Sequence, residues 1–170
     1  MGDVMGRFVK SAALFVVFAS AAACGPGEAR APNPTRPLDE RRAIEVIRKA
    51  ISLEGEKPAA GRDVTLVGTG KTLRVDVGVE GHEYGVAYIT AEDASKLGDA
   101  IPPKNNPDEK LRLARVGETG EVRIVLLYQD NYRYDDLIGE GHEQTTITAE
   151  RVLSRDVQDF ITHAKTRKLK

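Results

Sequence analysis

The sequence predicts an α+β fold in which an antiparallel sheet carries its helices on one face. Apolar residues first recur at the spacing of an amphipathic helix, over residues 43–51. They then alternate with polar residues, most clearly over residues 73–80, as expected for half-buried strands. Two four-residue motifs, EGHE and ITAE, also occur twice in the same order. A helix followed by two related β-rich units accounts for all three observations.

The composition is that of an ordinary folded domain. Of 170 residues, 41% are hydrophobic, and 25 basic side chains balance 26 acidic ones. Because no basic excess marks a nucleic-acid surface, we expect no nucleic-acid partner.

The N-terminal segment predicts export. Arg7 and Lys10 precede the apolar run SAALFVVFAS, which is too short for a permanent membrane span, and small residues follow it. We interpret residues 1–23 as a signal peptide.

Cys24 is the only cysteine and directly follows three alanines. The run Ala21 to Cys24 resembles the lipobox of bacterial lipoproteins. That resemblance implies acylation of Cys24, a lipid anchor in the cell envelope and, because Gly25 follows, sorting to the outer membrane if the host has two membranes. The alternative is ordinary signal cleavage that leaves a free thiol.

The segment GPGEARAPNPTRP, up to residue 37, is rich in proline and has no large apolar side chain. With Cys24 it predicts an extended tether over residues 24–37. A single α+β domain is expected over residues 38–170. Its first element is a helix with Asp39 as N-cap and Gly55 beyond its C-terminus.

Two similar hairpin-strand-helix units are predicted after this helix, at residues 62–101 and 110–161. In the first, the turn GTGKT is read as a hairpin turn rather than a phosphate loop, because the first glycine of that motif is missing and a strand follows. No nucleotide and no cofactor are therefore expected. In the second, residues 145–147 are predicted to be a short strand, with Thr148 as the N-cap of a closing helix.

The two EGHE motifs place His82 and Glu83 in one turn and His142 and Glu143 in another. As scaffold, both are turns that need only their glycine. As chemistry, two imidazoles and two carboxylates brought together would bind a metal through His82 and His142, or act as acid and base. The scaffold interpretation is the simpler one.

The segment YQDNYRYDD predicts a recognition loop, because it mixes tyrosines with charged groups. The binding candidates are Tyr128, Tyr132, Arg133, Tyr134, Asp135 and Asp136. The alternative is a polar loop whose tyrosines cover the edge of the sheet.

The first helix together with LRVDVGVEGHEYGVAYIT resembles PepSY-type domains, over about half of the mature chain. This resemblance implies a helix packed on antiparallel strands, and a role in inhibiting or chaperoning peptidases of the envelope.

The sequence therefore predicts an envelope lipoprotein that binds a periplasmic or surface protein without catalysis. No nucleophile, base and orienting group can be assembled from its motifs. One alternative is an envelope hydrolase or metal-binding protein that uses the paired His-Glu turns. Another is a structural lipoprotein associated with the cell wall.

Overall fold

The structure is a computed structural model that describes residues 34–106, 108–135 and 145–169. The strands and α-helices of these residues, in chain order, are β1 (Arg36–Pro37), α1 (Glu40–Leu53), β2 (Pro58–Ala59), β3 (Arg62–Thr65), β4 (Thr72–Val75), β5 (Val77–Val79), β6 (Gly85–Ile89), α2 (Ala91–Leu97), β7 (Arg112–Val116), β8 (Val122–Tyr128), β9 (Arg133–Tyr134) and α3 (Thr146–Arg167). The predicted α+β class is confirmed. The last residues of the predicted tether, Arg36 and Pro37, form β1, which pairs with β9.

Helix α1 begins and ends where its sequence predicts. The Asp39 side chain accepts the N–H of Arg42 at 3.0 Å, and Gly55 follows the C-terminus with a φ of 78°. Ala43, Ile47, Ala50 and Ile51 of its apolar stripe are fully buried. None of the helices in the described ranges is long and apolar enough to cross a membrane.

The main sheet has five strands in the order β2-β5-β6-β8-β7. Three of its pairings are antiparallel, as expected, but β6 and β8 run parallel, with Gly85 opposite Ile124 and Ile89 opposite Tyr128. The prediction of a purely antiparallel, half-buried sheet is therefore wrong at its centre. The runs GVAYI and IVLLY are almost continuously apolar, which is typical of central strands covered on both faces.

Alternate residues of β6 and β8 enter two separate cores. Val86, Tyr88, Val125 and Leu127 face the long helices α1 and α3 in the first core. Residues between them face a second core with α2 and the β3–β4 hairpin. The expectation of helices on one face is thus met by α1 and α3, whereas α2 lies on the other face.

The two predicted units correspond only in part. Each contains a hairpin, β3–β4 in the first and β7–β8 in the second. The predicted strand at residues 145–147 is wrong, because Thr145 is already the N-cap of α3 and accepts the N–H of Thr148 at 3.2 Å. In the first unit, Thr90 caps α2 in a capping box with Asp93. The first ITAE is therefore a strand-to-helix junction and the second a first helical turn.

Strands β4 and β5 are one strand bent at Asp76. The Asp76 N–H donates to the Val86 carbonyl at 2.9 Å, and its carboxylate accepts the Tyr88 N–H at 2.7 Å. The bend passes close to β6 at Gly85, where a Cβ would lie 2.8 Å from Val75 Cγ1. Burial raises the pKa of Asp76 to about 6, even though the Tyr88 N–H favours the ionised form.

This raised pKa predicts a pH-dependent cost at the bend. Because the native Asp76 holds its proton to higher pH than the unfolded chain does, its contribution to stability falls as pH rises from about 4 through about 6. Asp76→Asn keeps an acceptor for Tyr88 without the charge. We expect it to raise the free energy of unfolding at pH 7.5 by about 1–3 kcal/mol, and to change it much less at pH 4.

Urea unfolding of both proteins at the two pH values measures the difference, in which all other titrating groups cancel. Asp63→Asn is the matched control, since the Asp63 side chain is 64% exposed and pairs with Arg74 at 3.3 Å. An equal effect of Asp76→Asn at pH 4 and pH 7.5 would contradict the assignment.

Candidate functional site

The first EGHE motif forms a turn between β5 and β6. Gly81 takes a φ of 77°, and the His82 N–H donates to the Val79 carbonyl at 3.1 Å. The His82 ring stacks on Tyr84, with 4.6 Å between centroids, and its Nε2 lies 3.9 Å from a Glu56 carboxylate oxygen. His82 therefore has a packing role in this turn.

The second half of the proposed metal or acid-base site, His142 and Glu143, lies outside the described residues. In the part of the chain that the structure describes, no group of three or more His, Cys, Asp or Glu side chains is arranged to hold a metal ion. The pairing of the two turns stays a prediction.

A wide groove opens beside the first EGHE turn. Its volume is about 990 Å³, and it lies between β3, this turn and the β7–β8 turn. Its side chains include the half-buried Val64 and Val122 and the 40% exposed Val67. We call it the valine groove.

The valine groove is the open end of the second core. Leu66 and Val116 form its floor, are each 2% exposed, and pair across an isolated antiparallel bridge. Beyond this bridge β3 and β7 diverge, because the chain of β7 turns back at Gly117 to Gly120. The groove therefore exposes apolar side chains that the core leaves only partly covered.

Strand β3 forms one wall of the groove, and among the described residues its edge away from β4 has no backbone partner at Asp63. Leu66 donates to the Lys71 carbonyl at 2.8 Å, so the antiparallel register directs Val64 and Arg62 toward β4 and turns the backbone groups of Asp63 and Thr65 away from it. Gly117 donates to the Thr65 carbonyl at 3.3 Å. In the described chain, β4 is the only strand paired with β3.

The polar groups around the groove are few and mixed in sign. The Arg62 guanidinium donates to the Glu83 carbonyl and so joins β3 to the EGHE turn. His82, Glu83 and Glu118 contribute the other ionisable side chains. Of the predicted His-Glu candidates, His82 and Glu83 thus border this groove.

Lys71 of the GTGKT motif does not line the valine groove. Its ammonium group donates to the carbonyls of Lys96 and Leu97, at 3.0 and 2.9 Å, and so caps the C-terminus of α2. The GTGKT motif forms the β3–β4 hairpin turn that the sequence predicts.

The tyrosine segment does not form the exposed recognition loop that the sequence predicts. Tyr132 is 1% and Tyr128 is 5% exposed, because both rings pack into the cores on either side of the sheet. Tyr132 also donates to Asp156 of α3 at 2.9 Å. The expectation of a contact surface built from these two rings is wrong.

The other members of the segment are held by neighbouring groups. Tyr134 is half-buried with Arg36 over its ring at 5.1 Å, and Arg133 pairs with Asp130 at 2.7 Å. Asp135 is 3% exposed. Asp136, like the proposed lipidation site Cys24, lies outside the described residues.

Sequence reasoning missed the valine groove. The alternation of Val64 and Leu66 with polar residues correctly predicts a half-buried strand. This alternation carries no information about which strands pair with β3. The edge of β3 is open because of its strand pairing, so the pattern could not predict the groove.

Comparison with known proteins gives no relative: no protein-family model, no curated protein and no solved structure matches the chain. The resemblances to lipoproteins and to PepSY-type domains stay predictions.

The burial of Tyr132 predicts that its removal destabilises the domain instead of causing only a loss of binding. We expect Tyr132→Ala to lower the free energy of unfolding by about 3–5 kcal/mol, because it leaves a cavity and removes the hydroxyl that donates to the half-buried Asp156. Tyr134→Ala, the matched control at the half-buried neighbour, should cost about 1 kcal/mol or less. Chemical denaturation measures both values, and equal small losses would contradict the burial of Tyr132.

Proposed function

We propose that the protein is an envelope lipoprotein, anchored through acylated Cys24, whose folded domain is a non-catalytic binding or inhibitory module for a periplasmic or surface protein. The observation that supports binding is the valine groove, in which apolar side chains lie beside an unpaired strand edge. Outer-membrane sorting, inferred from Gly25, belongs to the same proposal.

The groove suits an extended polypeptide segment. A strand added to β3 would bond to the outward N–H and C=O of Asp63. Its alternate side chains would reach Val64 and Val122, while Val67 is exposed beside them. Main-chain bonds would supply affinity and the valines would select apolar side chains.

Proline substitution tests this mode of binding. Asp63→Pro removes an N–H that points away from β4, so it should block an added strand and preserve the β3–β4 hairpin. Asp63→Ala is the matched control, since it also loses the carboxylate but keeps the N–H. We expect crosslinked capture from host envelopes, read by mass spectrometry, to lose the specific partner with Asp63→Pro and to keep it with Asp63→Ala.

Val67→Lys provides an independent check of the same groove. Because Val67 is 40% exposed, a lysine there adds charge to the groove at little cost in stability. Capture that is undiminished in both Asp63→Pro and Val67→Lys would contradict the groove as the binding site.

The main alternative, a hydrolase or metal-binding protein, makes a different prediction. His82→Ala combined with His142→Ala would abolish catalysis or metal binding that depends on the paired turns. In our proposal the double variant retains at least about half of the wild-type partner capture, because neither imidazole supplies the strand edge. Loss of capture in a variant that remains folded by circular dichroism would favour the paired turns.

The second alternative, a structural lipoprotein of the cell wall, predicts retention on purified sacculi. In our proposal the protein is released from them once its partner is removed. Mass measurement of the N-terminal peptide tests the acylation of Cys24 in all three cases.

A further inference from the structure

Helices α1 and α3 cover the sheet with one face and present the other to solvent. In α1 the buried stripe around Ala43 and Ile47 leaves the opposite side outward. This outer surface of α1 and α3 carries exposed basic and large aliphatic side chains, namely Arg41, Arg48, Lys49, Leu53, Ile147 and Arg151. We call them the basic helix surface.

The basic helix surface carries unbalanced positive charge. Its four cations form no ion pair with any described residue. The carboxylates beside them, Glu45 and Glu150, are both bound by Arg42, at 3.1 and 2.6 Å. Together these groups are five cations and two carboxylates, a net charge of +3, whereas the whole chain carries −1.

Two large aliphatic side chains project from the same surface. Leu53 is 63% and Ile147 is 67% exposed, and with Val67 they are the exposed large hydrophobic residues of the described chain. Both border a shallow groove of about 380 Å³ between α1 and α3, next to Lys49 and Arg151. Aliphatic tips surrounded by cations are typical of surfaces that rest on anionic lipid.

We propose that the basic helix surface lies against an anionic lipid bilayer, with Leu53 and Ile147 inserted among the headgroups. The inference rests on the proposed anchoring at Cys24. Residues 25–34 would reach roughly 30 Å as an extended proline-rich spacer, and β1 (Arg36–Pro37), which pairs with β9, leads into α1. The anchor therefore leaves enough chain for the helices to turn toward the bilayer, which holds the valine groove in a fixed orientation.

Vesicle binding tests this contact without the lipid anchor. The chain from residue 24 with Cys24→Ser keeps the tether and both cores and has no thiol to acylate. We expect it to bind vesicles of phosphatidylcholine mixed equally with phosphatidylglycerol, to bind phosphatidylcholine vesicles far less, and to be released by salt.

Charge removal assigns the contact to this surface. Arg41→Gln, Arg48→Gln and Lys49→Gln together should weaken partitioning into the anionic vesicles by about 100-fold at low salt, at roughly fivefold per charge. The control removes the same charge elsewhere, through Lys57→Gln, Arg74→Gln and Lys110→Gln. It should change partitioning by less than about threefold, a residual that reflects net charge alone.

The aliphatic tips give a readout that charge alone would not move. Leu53→Gln with Ile147→Gln should weaken binding by about tenfold or more while leaving the salt dependence unchanged. Since both side chains are exposed, the variant should unfold at the same urea concentration as the parent.

Equal binding to neutral and anionic vesicles, or equal losses in the two triple variants, would overturn the proposal. Vesicle binding by the unlipidated chain and acylation of Cys24 are measured separately, so the helix contact and the lipid anchor can fail independently. Acylated Cys24 without vesicle binding by the unlipidated chain leaves the anchor in place and removes the helix contact. Vesicle binding with an unmodified Cys24 does the reverse.

Discussion

The parallel pairing of β6 with β8 is the constraint on which the rest of the structure depends. These two strands are buried on both faces, so their alternate side chains must fill two cores rather than one. The first core requires α1 and α3 as a cover. The second requires α2 and the β3–β4 hairpin, and Asp76 accepts the Tyr88 N–H where β4 bends into β5. The valine groove follows from how completely the second core is covered.

The two covers differ in kind. The helical cover is closed, and its outer surface carries the cations and aliphatic tips that we assign to a bilayer. The hairpin cover is open at one end, because β3 contacts β7 only near the bridge between Leu66 and Val116. That opening is the valine groove. The protein thus presents a charged surface on one side of the sheet and an apolar strand edge on the other, which suits a tethered module that holds a protein segment near a membrane.

Local patterns in the sequence predict local structure well. The Asp39 cap and the turn at Gly81 form as their spacing indicates. What the patterns cannot specify is the partner of each strand, and the parallel pair was missed for that reason. Thr145 and Thr148 are equally good caps in TTITAE, and packing of α3 decides between them. The polar neighbours of Tyr132 in the sequence favour a recognition role, whereas its burial depends on α3, which is distant in the sequence.

Amide hydrogen exchange at β3, followed residue by residue by NMR, tests the open strand edge most directly. The register predicts that the Val64 amide, bonded to β4, exchanges slowly, while the Asp63 amide between it and Arg62 exchanges at a rate close to that of an unstructured peptide. Protection of Asp63 equal to that of Val64 would show that another part of the chain already occupies this edge. The valine groove would then be closed in the free protein, and binding by addition of a strand to β3 would be excluded.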